Sequence, residues 1–553
     1  MAAFLDLIDV THRRRGRASG LAAGVLVAAL TGCVSPAAPG SSPSAPTAQP
    51  TSTAPAPAPA DVNSRAPEGL AKGGLVRLPI AAIPTQWNPW AVDGAGADAT
   101  TVRGPLSSPA FLVDAAGTAR PNPDLLVSAT ASGTPTVATL RLNPLAVWGD
   151  GAAITAADWV ATWTAVGRGD TRFAARKVPG WDRVAGVRQG ADDHEVVITY
   201  TGVVPDWTQP LLAGPARAAS VADPATFATW TTYRADWFAG PYVITYIDSA
   251  NGLLTLEPNP RWWGTRPRLD EVFIRAVAPE SLATTVAAGE FDLYSPGLSA
   301  DRLARARSAP GTVVRVTPGT AGRELVFSLT GSLADVRLRQ AIVRGIDRVA
   351  LARAAVGGLT ASPTVWSDHL LLPQQPGYLD AAEATGLTHD EPAAAQALFA
   401  AGYPLAGSVR TAGQGGPPLA LTYEVPDGDA RAAAEAASVT QDLARLGIEV
   451  KAVASGGDIR ATDVDVSAYP LLGVEARFGG VPGLADLVAG MDAAGDASVR
   501  QVQATQAARL LWQDARTLPL YVEPDVAVAR SKLANAGANG FATTDWAVVG
   551  YTP

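Results

Sequence analysis

Some side chains that do chemistry are recognisable by short, fixed spacings, and few such sets occur in this chain of 553 residues. There is one cysteine, Cys33, which excludes an intramolecular disulfide and a cysteine-built zinc site. The histidines are His12, His194, His369 and His389. His194-Glu195 is followed by Ile198 where a zinc-peptidase helix needs its second histidine. Lysine occurs only at 72, 177, 451 and 532, and none completes a Ser-x-x-Lys nucleophile. No Gly-x-Ser-x-Gly elbow and no phosphate loop is present, and "GAGADA" lacks the third glycine of a dinucleotide fingerprint. Asp463 and Asp465 alternate along one segment and read either as metal ligands or as a solvated face. A pair of glycosidase carboxylates needs no local motif, so spacing leaves it open.

Binding chemistry is better supplied. Fourteen tryptophans offer flat faces for stacking. Trp159 and Trp163 share a helical apolar face and read as core; of Trp262 and Trp263, at least one reads as core. Trp87, Trp90 and Trp366 lie in loop-like, Pro- or Gly-bounded surroundings and are candidates for a ligand site, with core packing the alternative. Net charge is −8, which argues against a nucleic-acid partner. Scarce lysine, abundant arginine and high alanine resemble a high-GC actinobacterial composition.

Position explains Cys33. A basic cluster, Arg13, Arg14, Arg15 and Arg17, precedes an apolar run at 21–30, then Thr31 and Gly32. This is the order of an export signal, and the run is shorter than the ~20 residues a membrane-spanning helix needs. Leu30-Thr31-Gly32-Cys33 resembles a bacterial lipobox, which implies a lipid on the Cys33 sulfur and Cys33 as the mature N-terminus. An ordinary signal peptide with an unmodified cysteine is the alternative. The opening "MAAFLDLIDVTH" is long and acidic for a signal, so the true start stays open. Residues 34–60 are uncharged and rich in Pro, Ala, Ser and Thr; such a segment buries too little to fold. The expected tether, 34–70, spans on the order of 80 Å over its uncharged part. Its hydroxyls could accept O-glycans.

The elements that must position a site follow from periodicity. "LVRLPIA" reads as a strand that leads into the loop "IPTQWNPW". Residues 137–142 alternate, with Leu140 and Leu142 on one face, and "WGDG" reads as a turn. Thr155 and Asp158 have capping-box spacing before a helix that carries Trp159, Val160, Trp163 and Val166. Tyr242, Ile244 and Tyr246 alternate up to an Asn251-Gly252 turn, with Leu254 and Leu256 on the return strand. "PESLATTVAAGEFDLYS" reads as helix, Gly289 stop and strand. "SLADVRLRQAIVRGIDRVALARAAVGG" reads as one amphipathic helix with Leu338, Ile342, Ile346 and Val349 on its face. Helices fit 392–401 and 429–446, and strands fit 419–425, 447–453, 463–469 and the final "RTLPLYVEPDVAVAR". No repeat is visible. Mingled strands and helices give an α/β to mixed α+β class.

Five segments in order resemble the family 5 extracytoplasmic solute-binding proteins, the peptide- and nickel-binding components of ABC importers. They are "AVWGDGAAITAADWVATW", "FAGPYVITYIDSANGLLTLEPNPRWWG", "ESLATTVAAGEFDLY", "DVRLRQAIVRGIDRVALARAAVGG" and "AQALFAAGY". The resemblance covers about 72–535 and implies a two-lobed type II periplasmic-binding-protein fold joined by hinge strands. Lobe I would comprise 71–105, 216–320 and 516–553, with an inserted subdomain at 106–215; lobe II would be 321–515, and 1–33 the signal. The family implies binding by lobe closure, without catalysis, cofactor or metal centre.

The resemblance also proposes ligand contacts. The loop after the first strand supplies Asn88, Pro89, Asp93, Gly94 and Ala95, beside Trp87 and Trp90, with a plain surface turn as the alternative. Trp366 and Tyr423 join the candidates. In the second lobe Tyr469 takes the aromatic place of peptide binders that hold a free amino terminus, but no matching aspartate follows. Glu475 is displaced from it. Arg477 could meet a carboxylate or phosphate, or be an exposed loop arginine. Ser328 stands where the family commonly has asparagine.

The expectation is a lipid-anchored monomer on the outer face of the cytoplasmic membrane that hands a peptide or peptide-like solute to ABC permease subunits. The alternatives are the same fold with a sugar, metal chelate or haem, an unrecognised cell-surface hydrolase, or a sensory lipoprotein without a permease.

Overall fold

The computed structural model describes residues 60–466 and 474–553. Cys33, the signal, most of the tether and Tyr469 lie outside the described residues, as does the side chain of Glu475.

Three sheets organise the chain. In the first, Leu75–Ile80 runs parallel to Glu271–Ala276, which continues antiparallel to Leu253–Pro258 and Tyr242–Asp248. The second orders Leu126–Ser132, Val137–Leu142, Glu195–Tyr200 and Val184–Gln189. The third has six strands and is built around two long antiparallel ones, Thr312–Phe327 and Thr517–Arg530. Leu293–Tyr294 joins one end of this pair and Ile459–Asp465 the other. At ~3.3 Å per residue the long strands reach roughly 50 Å, enough to pass from one body of the molecule to another. Their register breaks between Pro318 and Gly322 and again between Arg323 and Glu324, and such bulges bend a strand pair.

Each sheet buries its own apolar side chains. Val76, Leu78, Leu254, Val272 and Ile274 form a core with Ala529, Leu533 and Val549 from the C-terminal segment. Leu140, Leu142, Val196, Ile198 and Trp159 form a second. Leu325, Phe327, Leu338, Ile342, Tyr423, Val439 and Leu518 belong to a third.

Local rules build these elements. The Thr155–Asp158 capping box is present on both sides and starts the helix Ala156–Thr162. Gly252 turns the hairpin at φ 68°, and Gly289 follows the helix Pro279–Ala287 at φ 74°. The expected long amphipathic helix is two, Val336–Gly345 and Arg348–Val356. Asp347 breaks it: its carboxylate accepts the N–H groups of Val349 and Ala350 and starts a new helix. Val349 therefore leaves the buried face and is 45% exposed. Tyr246 also turns outward, because a bulge between Ile244 and Tyr246 shifts the alternation. Trp262 and Trp263 are both half-buried, and Trp263 packs against the second core. Among the described residues no helix is long and apolar enough to cross a membrane.

Candidate functional site

A cavity of about 910 Å³ opens beside the first sheet. The strand Leu75–Ile80 and the helix Ala97–Arg103 supply part of its wall, and the indoles of Trp90, Trp148, Trp230, Trp237, Trp262 and Trp546 line it. A smaller depression of about 260 Å³ lies on the middle of the long strands, at Gly319–Ala321 and Glu523–Val526. The two share Ser295, Asp525 and Val526 and so adjoin. Among the described residues, none between 322 and 515 lines the large cavity. The wall of the large cavity therefore comes from residues 78–302 and 525–546.

Charge in this cavity is unbalanced. Asp98, Asp124, Asp525 and Asp545 line it, with Arg302 the one cation lining it among the described residues. Asp98 accepts the N–H groups of Ala81 and Ala82, and Asp525 those of Asn539 and Gly540. Burial pushes both Asp124 and Asp545 above the usual carboxylate range, and Asp545 raises Asp124 further.

The loop after the first strand contributes two of its candidates to the cavity, Pro89 and Trp90. Trp87 is buried against Tyr233 and Phe238, at ring separations of 5.5 and 6.5 Å. Asn88 is fully buried and holds the loop: its Nδ2 donates to the Phe227 carbonyl at 3.0 Å and its Oδ1 accepts from the Trp90 N–H at 3.0 Å. Gly94 is needed for space, since a Cβ there would lie 1.9 Å from the Asn88 carbonyl oxygen. Its own carbonyl accepts Arg103 Nη2 at 2.6 Å. Asp93 and Ala95 are exposed and line neither pocket.

Three further candidates sit away from the large cavity. The loop position of Trp366 suggested a ligand contact, but its ring is fully buried. It packs where a Cβ on Gly322 would be 2.4 Å from the indole, and its Nε1 donates to the Leu371 carbonyl at 2.8 Å. Tyr423 is fully buried in the third core because its strand lies inside the six-stranded sheet. Neither lines a pocket described here, which corrects the expectation for both. Arg477 is not a free loop arginine. It lies in the helix Val474–Phe478, where its Nη2 donates to Glu324 at 3.0 Å and its Nη1 to the His369 carbonyl at 3.1 Å. His369 itself is buried between Phe478 and Trp512, and burial holds its imidazole down to about 3, so it stays neutral.

Beyond the bend, charge is matched. Arg323 clasps Glu435 with Nε at 3.0 Å and Nη2 at 2.9 Å, and reaches Asp463 at 2.8 Å. Arg431 pairs with Asp463 at 2.8 Å and also with Glu523. The Tyr521 hydroxyl donates to Glu435. Asp463, read from its spacing as a metal ligand or a solvated face, is thus an ion-pair partner. Among the described residues no group of three or more His, Cys, Asp or Glu is placed to hold a metal ion. Burial, then the hydrogen bond with Asp463, pushes Glu523 up to about 7.

Sequence reasoning missed Asp124, Asp545, Trp230, Trp237, Trp546 and Tyr294. They come from separate stretches of chain, and nothing local marks them except the abundance of tryptophan.

Comparison with known proteins places this geometry. Residues 120–469 match the family described as bacterial extracellular solute-binding proteins, family 5 Middle. The oligopeptide-binding protein OppA of Mycobacterium tuberculosis is 29% identical over 527 residues, which is 89% of this chain and 87% of that one. A probable monoacyl phosphatidylinositol tetramannoside-binding protein, LpqW, of the same species is 27% identical over 270 residues, 47% of this chain and 41% of its own. Among solved structures, the periplasmic EDTA-binding protein EppA superposes with a TM-score of 0.77 at 24% identity, covering 89% of this chain and 99% of that one. The oligopeptide-binding protein AppA of Bacillus subtilis, in complex with a nonapeptide, gives 0.65 at 15% identity, covering 88% and 100%. These structures establish a mixed α/β periplasmic-binding-protein fold. With more than half of its length matched, the chain belongs to the family 5 bacterial extracellular solute-binding proteins, a family that binds solutes rather than transforming them.

Proposed function

We propose that this protein is the solute-capturing receptor of an ABC importer and that it takes a peptide or peptide-like solute into the cavity beside the first sheet. The observation that carries this is a tryptophan-lined cavity of about 910 Å³ with only one lobe around it. Its volume lies within the ~300–1,000 Å³ usual for small-molecule sites. Lobe I, at 71–105, 216–320 and 516–553, and its insert at 106–215 hold the solute first. Lobe II, at 321–515, closes over it about the bend between Pro318 and Gly322. Closure follows only if the solute binds the closed form better. Pro89 and Trp90 are the loop residues in contact with solute. Relatives named as oligopeptide-binding and a fold neighbour solved with a nonapeptide support this cargo class.

The receptor works as a monomer at the outer face of the cytoplasmic membrane, anchored through lipid on Cys33 and lifted by the tether. Cys33→Ser is expected to release it from membranes with solute binding intact; a variant that still fractionates wholly with membranes would contradict the anchor. Lipid chains contribute ~0.8 kcal/mol per buried CH₂, so two signals hold firmly. The cargo is tested by a thermal-shift screen of the full chain against a peptide library. A binding peptide should add about 2.7 kcal/mol at a hundredfold excess over Kd. No response to any peptide, with a clear response to a sugar, haem or metal chelate, would overturn the peptide reading.

A further inference from the structure

We propose that the solute is a cation whose ammonium or guanidinium group sits between Asp124 and Asp545 against the indole of Trp262. The inference rests on the reading of the large cavity as the solute site and adds the chemical class that it selects.

Asp124 lines the cavity and is held in place through its main chain. Its backbone is held by three hydrogen bonds: its N–H donates to Asn122 Oδ1 at 3.1 Å, and its carbonyl accepts Asn143 Nδ2 at 3.1 Å and Trp263 Nε1 at 2.5 Å. The carboxylate has no hydrogen bond and no ion pair among the described residues. Asp545 spends one oxygen on the Ala547 N–H at 3.0 Å and has no ion pair among the described residues. Several other desolvated carboxylates of the protein are ion-paired, while the buried Asp158 and Asp368 are held by hydrogen bonds alone. Asp292 meets Arg77 at 2.8 Å and Arg530 at 3.0 Å, and Glu324 meets Arg477 at 3.0 Å. Two half-buried carboxylates on one cavity wall without a counter-ion are costly, Asp545 adding to the cost at Asp124, and a cation beside them removes it.

Gly264 shapes the place. A Cβ there would lie 2.4 Å from Asp124 Oδ1 and 2.7 Å from Trp262 Cζ2, so carboxylate and indole meet over a residue that has no side chain to separate them. Carboxylate and indole face together are the chemistry that recognises a cation. Independent of the acids, Tyr294 and Trp230 line the same cavity, are 5% and 3% exposed, and leave their hydroxyl and Nε1 without partners. A polyanionic chelate meets four carboxylates and one arginine here and is disfavoured.

The test is calorimetric titration of the full-chain protein with three hexapeptides that differ at one central residue, Lys, Leu or Glu, and with ferric EDTA. The Lys peptide should bind about tenfold tighter than the Leu peptide, with Glu and ferric EDTA weakest. Asp124→Asn/Asp545→Asn should erase the Lys preference, so that the Lys and Leu peptides bind with equal affinity. Peptides that bind without charge preference, or a preference that survives the double variant, overturn the cation subsite and leave the peptide reading standing. If no peptide binds, tryptamine against indole-3-acetate decides the subsite. Binding of tryptamine alone, lost in the double variant, upholds the cation site and retires peptides; binding of neither, or of the acid, overturns it.

Discussion

The cavity beside the first sheet and the junction beyond the bend both hold half-buried or buried charge, and they treat it in opposite ways. At the junction Arg323, Glu435, Arg431, Asp463 and Glu523 satisfy one another. In the cavity Asp124 and Asp545 have no ion-pair partner among the described residues. Folding alone favours the first arrangement, because desolvation of a charge is repaid only by a partner. Under the proposed subsite, the unmatched carboxylates of the cavity are the charge that a cationic solute meets. The comparison separates charge that holds the molecule together from charge that is available to a solute.

Breaking the junction should therefore cost far more than breaking the cavity. Glu435→Ala leaves Arg323 buried with a single partner, Asp463, which is 47% exposed on its side chain. Loss of about 3–5 kcal/mol in denaturant unfolding is expected, with much of it regained when Arg323→Met is added. An intermediate effect is expected from pH. The folded protein holds the Glu523 proton up to about 7, above the ordinary 4.5. The stability this contributes is complete below about 4.5 and is lost as pH rises through about 7. Glu523→Gln should flatten that fall, as read from melting temperatures across pH 4–8. The smallest effect is expected in the cavity itself: Asp124→Asn/Asp545→Asn should change stability by under about 0.5 kcal/mol or raise it slightly. A large destabilisation there would place both residues with the structural charges and dissolve the contrast.

The fold was legible wherever the determinants are local. The Thr155–Asp158 capping box, the Asn251-Gly252 turn and the alternation at 137–142 each specify their element within a few residues. Misreadings arose where a local signal competed with something nearby that outranked it. Asp347 caps a new helix inside an unbroken apolar period, and the bulge after Ile244 flips Tyr246. The site was less legible for a different reason. Asp124 lies in "PNPDL", a plain turn by composition, and its partner Asp545 is more than 400 positions along the chain. Trp366 has a loop's sequence but occupies a slot that opens because Gly322 has no side chain. Tertiary placement decides such residues, and spacing does not carry it.

The central claim is that solute enters the cavity walled by the first lobe and its insert. Photo-crosslinking tests it directly, with a lysine-containing peptide that bears a benzophenone and mass-spectrometric mapping of adducts on the full-chain protein. The account predicts adducts in segments 78–109, 213–241 and 543–546, competed away by unlabelled peptide. Saturable adducts confined to other surfaces, with none in those segments, would contradict it.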